Sequence, residues 1–124
     1  MKRWTVFLMG MALCLSGAPI FAHEEMGQPG GQQKITGEVV DLACYLAGGE
    51  RGPSHQACAQ KCISSGLPVG IKTNDALYLV ITSEHGPANA QLASLASKTV
   101  EAEGTISEQD GVHLIAIKKV TVKE

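Results

Sequence analysis

The sequence predicts a mainly β fold of the α+β kind, a small antiparallel barrel with two short helices, and three features of the chain lead to that expectation. Apolar and polar residues alternate with period two in ITGEVVD after Lys34 and again in two longer closing segments. Two stretches between them are helix-compatible and bounded by Ser, Gly and Pro. The regular strand-then-helix alternation of a parallel sheet is absent.

Residues 34–41 carry the first strand, rich in β-branched side chains. The run CYLAGGERGPS that follows reads as a loop from its Gly and Pro content. Residues 55–65 lack internal Pro and Gly, Ser54 stands where an N-cap is needed, and Gly66 with Pro68 beyond it supplies a stop, so a short helix is expected there. Residues 69–72 and 76–82 flank Thr73, Asn74 and Asp75 and read as a hairpin with a polar turn. Leu92, Leu95 and Ala96 recur at helical spacing and mark a second helix over residues 88–97. Residues 99–106 and 112–123 alternate around a turn at residues 108–111, an antiparallel hairpin. Five strands with short helices in the connections fit an OB-like barrel over residues 34–124.

Ahead of the domain, Lys2 and Arg3 precede an apolar run that Pro19 ends, and Ile20-Phe21-Ala22 suits signal peptidase. Residues 1–22 are therefore expected to be a cleaved export signal, too short in its apolar run for a span of about 18 to 20 residues. Leu13 ahead of Cys14 is too bulky for a lipidation site. Residues 23–33, HEEMGQPGGQQ, contain one large apolar residue and are expected to be a flexible lead-in. Cleavage removes Cys14, Lys2 and Arg3, which leaves three cysteines and eight basic against twelve acidic side chains, a net charge of −4. That surface lacks the basic footprint that phosphate binding requires, so nucleic acid is not expected as a partner. The expected location is periplasmic or secreted, with no stable membrane anchor after cleavage and a periplasmic protein as the partner to look for.

The chemistry concentrates in one stretch. Cys44, His55, Cys58 and Cys62 lie close in sequence, and on a helix His55, Cys58 and Cys62 fall at i, i+3 and i+7, sharing one face. A Cys3His set suits tetrahedral Zn2+, and thiolate-rich sites also favour Cu(I). Two other readings stand beside the metal site. In an oxidising compartment a disulfide is an ordinary staple for a small domain. Cys58 and Cys62 on an intact helix would hold their Cβ atoms about 5 to 6 Å apart, so a bridge would join Cys44 to one of them and leave an odd thiol. The third reading is a thiol redox protein using Cys58 and Cys62. C-x-x-C-H, C-x-x-C, G-x-S-x-G, H-E-x-x-H and a correctly spaced phosphate loop are all missing, so a binding or accessory protein is expected ahead of an enzyme. His23, which cleavage would expose as the N-terminal residue, is a weaker copper ligand candidate. His85 reads as a turn residue and His113 as a strand residue, while Tyr45 and Tyr78 read as core or barrel wall. Asp41 reads as a turn former or as a residue orienting a ligand.

The combination GEVVDLACYL, then His55-x2-Cys58-Ala59-x2-Cys62-Ile63, then GLPVGI and a closing TVEAEGTI hairpin resembles a group of small, uncharacterised exported bacterial proteins. The resemblance covers nearly the whole domain and implies export and a small barrel. It implies no reaction.

Overall fold

The computed structural model describes residues 31–124. Residues 1–30, with the expected export signal, most of the lead-in and His23, lie outside the described residues. Five strands, β1 (Gln32–Asp41), β2 (Val69–Lys72), β3 (Leu77–Thr82), β4 (Thr99–Gln109) and β5 (Val112–Val122), close into a barrel in the order β1-β2-β3-β5-β4. This is a small OB-like barrel, with helices carried in its connections. The helices are α1 (Leu42–Gly48), α2 (Gln56–Ser64) and α3 (Asn89–Leu92), with single 3-10 turns at Pro53–His55 and Ala93–Leu95.

Four of the five strand pairings are antiparallel, and β3 runs parallel to β5, with Tyr78 opposite His113 and Thr82 opposite Ile117. The barrel is antiparallel as expected but for this one pair, which makes the sheet mixed. Parity supplies the reason: directions cannot alternate around a closed ring with an odd number of strands, so one neighbouring pair must be parallel. The long connection through α3 lets β4 and β5 return on the other side of β3 and close the ring.

The turns form where the sequence places them. Asp110 and Gly111 have φ of 52° and 81°, the two left-handed residues of a tight hairpin turn, and Gln109 pairs with Val112 directly across it. In the β2–β3 turn, the Thr73 hydroxyl accepts from the amides of Asp75 and Ala76. The first strand begins earlier than expected. Gln32 and Gln33 pair with Thr105 and Gly104, because β4 is long enough to offer its backbone groups to them, and ladder bonds need no apolar side chains.

The helices depart more from expectation. Ser54 is not the cap of α2; it sits inside the 3-10 turn, and His55 occupies the cap position with no side-chain cap bond. The end of α2 is as read, with Gly66 at φ 97° and Leu67 N–H donating to the Cys62 carbonyl. The second helix is broken into α3 and the following 3-10 turn. Helix α1 lies in the run read as a loop. Asp41 caps it, accepting from the Cys44 amide at 2.9 Å, and Gly49 at φ 74° ends it by donating to the Tyr45 carbonyl.

Thirteen buried apolar side chains form the core, drawn from all five strands and from α2, α3 and their flanks. Ala59 and Ile63 of α2 pack into this core, and Asn89 ties the end of α2 to the α3 connection by donating to the carbonyls of Ile63 and Leu67. Leu42 fixes the start of α1: its amide donates to the Pro68 carbonyl, and its side chain lies on Gly70, where a Cβ would stand 2.6 Å from Leu42 Cδ2. Ile63 is wholly buried, so Ile63→Ala removes packing that holds α2 to the barrel. Urea unfolding of the reduced protein is expected to show a loss of about 2–5 kcal/mol for Ile63→Ala. The neighbouring exposed Ser64→Ala is expected to stay within about 0.5 kcal/mol.

Candidate metal centre

The site begins with Asp41, the last residue of β1. It is the one buried charged residue among the described residues, fully enclosed at the point where strand gives way to helix. One carboxylate oxygen takes the Cys44 amide; the other lies 3.2 Å from His55 Nε2. A single side chain thus fixes α1 to β1 and draws the turn before α2 onto the same place. Three residues earlier on β1, Glu38 accepts from the Gly52 amide at 2.6 Å and lies 3.8 Å from the Arg51 guanidinium. These contacts hold the connection between α1 and α2 against the barrel. The His55 side chain is 13% exposed, with Nδ1 4.0 Å from Glu50.

Cys44 extends from the first turn of α1 toward α2, and the four residues singled out by the sequence, Cys44, His55, Cys58 and Cys62, lie close together. The arrangement differs from a single tetrahedral point. The donor atoms fall into two triads that share Cys44. One is Cys44, His55 and Cys58; the other is Asp41, Cys44 and Cys62, and within each the ligand atoms lie within 4.8 Å of one another. Asp41 is thus a donor as well as a helix cap. Its turn-forming role was legible from its place before LACYL, but its inward aim follows from β1 ending at the barrel rim.

All three cysteines among the described residues are free thiols. Cys44 and Cys62 are half-buried and Cys58 is exposed, so the cluster is graded from the enclosed Asp41 outward to solvent. The Cys44 thiol is pushed up to about 12 from an ordinary 9.0, first by burial, then by the hydrogen bond and charge of Asp41, with Cys62 and Cys58 adding to it. Cys62 is also raised, by burial and then by its hydrogen bond with Cys58 and the charge of that group. Thiols held in their protonated form are poor nucleophiles. A cation placed among them reverses the balance, because coordination favours the thiolate.

The remaining candidates have ordinary places. His113 packs on Tyr78 with ring centroids 5.4 Å apart and meets Glu108 at 3.3 Å. His85 is an exposed turn residue with φ 59°, and Tyr45 is half-buried on α1. No helix among the described residues is long and apolar enough to cross a membrane. No known protein family and no curated protein matches the chain.

The raised Cys44 thiol carries a pH dependence for the metal-free, reduced protein. In the unfolded chain the thiol ionises near 9, whereas in the fold it keeps its proton to about 12, so across that window the folded state binds more protons. Stability is therefore full below about pH 9 and falls as the pH rises toward 12. Thermal unfolding from pH 7.5 upward is expected to show this decline, and Cys44→Ser is expected to flatten it. An unchanged slope in the variant would assign the decline to other groups.

Proposed function

We propose that the protein is an exported binding or accessory protein that holds a soft or borderline metal ion, Zn2+ or Cu(I), through Cys44, His55, Cys58 and Cys62. The observation that carries this reading is the convergence of Cys44, His55 and Cys58 from separate elements, with their donor atoms within 4.8 Å of one another. Sulfur and imidazole nitrogen are the donors such ions prefer. Asp41 serves the reading in two ways, by fixing Cys44 through its amide and by orienting His55 through Nε2, as carboxylates behind metal-bound histidines do. Export rests on the N-terminal sequence alone.

Proximity also favours a second reading, a disulfide between Cys44 and an α2 cysteine, since Cys44 belongs to both triads. A thiol redox protein is less well supported, because the raised Cys44 and Cys62 thiols are the opposite of what an attacking thiolate needs.

Metal content and native mass of protein taken from the periplasm under anaerobic conditions separate the readings. One equivalent of zinc or copper is expected, with binding that releases protons and strengthens as pH rises. Cys62→Ser is expected to lose stoichiometric metal. A metal-free wild type lacking two protons in mass would establish the staple and end the metal reading.

A further inference from the structure

Three observations bear on what kind of metal site this is. The core of thirteen buried apolar residues contains no member of the cluster, and each helix that carries a donor has its own contacts with the barrel. Helix α2 is anchored by Ala59 and Ile63, and α1 by Leu42, its Asp41 cap and the closing Gly49 bond. A structural zinc site behaves differently, being closed, four-coordinate and required for folding. The donors also stand as two sets of three sharing Cys44, not as one set of four. Finally, exposure rises across the cluster: Asp41 is enclosed, the His55 side chain is 13% exposed, and Cys58 lies open to solvent.

Resting on the metal-binding reading above, we infer that the cluster is a transfer site for Cu(I), in which Cys44 is the anchor common to both triads and Cys58 is the ligand exchanged with a soft donor of a partner. Cu(I) accepts three donors, and thiolate with imidazole suits it. The exchange is a substitution at the metal. A thiolate or thioether of the partner forms a new bond to copper, the bond from Cys58 sulfur to copper breaks, and the released thiolate takes a proton from solvent. Copper stays in the +1 state throughout, so no oxidant or reductant is needed. Half-buried Cys44 and Cys62 keep the ion from leaving until the incoming donor is in place.

The test uses the exported, reduced protein loaded anaerobically with one equivalent of Cu(I), and bathocuproine disulfonate as the accepting ligand. Copper is expected to remain at one per chain after desalting. Its capture should be a bimolecular step, so that a tenfold rise in chelator gives a roughly tenfold faster capture. Far-UV circular dichroism of the metal-free protein should match that of the loaded one. Cys58→Ser is expected to retain copper more weakly, and Cys44→Ser to retain none, with both spectra unchanged. A capture rate independent of chelator, an unfolded metal-free state, or loss of copper from Cys58→Ser as complete as from Cys44→Ser would overturn the transfer role while leaving metal binding intact. If the wild type retains neither copper nor zinc, the metal-binding reading falls as well.

Discussion

The enclosed carboxylate of Asp41 is the constraint on which the candidate site depends. A carboxylate removed from water is costly unless its oxygens are supplied with donors. Here the two oxygens face the Cys44 amide and the His55 ring, which belong to different elements. Satisfying one buried group therefore sets the start of α1, the direction of Cys44 and the position of the turn before α2. Glu38 acts further out on the same strand, taking the Gly52 amide. The barrel, through β1, positions the donors; the donors do not assemble the barrel.

The division of labour within α2 follows from helical geometry. Ala59 and Ile63, four apart, face the core, while Cys58 and Cys62, each one residue earlier, lie on the flank turned to α1. The same periodicity that buries the helix thus presents its sulfurs. Asn89 fastens the far end of α2 to the α3 connection, so protein contacts restrain the helix at both ends.

Much of this was legible in the sequence because the signals were local. Alternation in ITGEVVD and in the two closing segments located β1, β4 and β5, and Asp110-Gly111 specified a tight turn by backbone conformation alone. The close grouping of Cys44, His55, Cys58 and Cys62 could be read from spacing and a plausible helix. What escaped was governed by distant partners or masked by neighbours. Helix α1 was hidden because its Gly-Gly end runs into a segment rich in Gly and Pro, although Asp41 and Gly49 are ordinary cap residues. Gln32 and Gln33 joined β1 because β4 was there to pair with them. The division of the donors into two triads depends on where β1 ends relative to α2, which no local pattern encodes.

Asp41 and Val69 are paired across β1 and β2, so the excursion that carries every donor after Asp41 leaves and rejoins the barrel at adjacent points. Loop-closure entropy is thereby met by the sheet, and lengthening or replacing the excursion adds little to it. The segment that carries the candidate donors is in this sense a portable insert. Its sequence is free to drift toward a different donor set, or to be exchanged between barrels, under one main condition: that the host strand ends in an enclosed acceptor able to start the first helix.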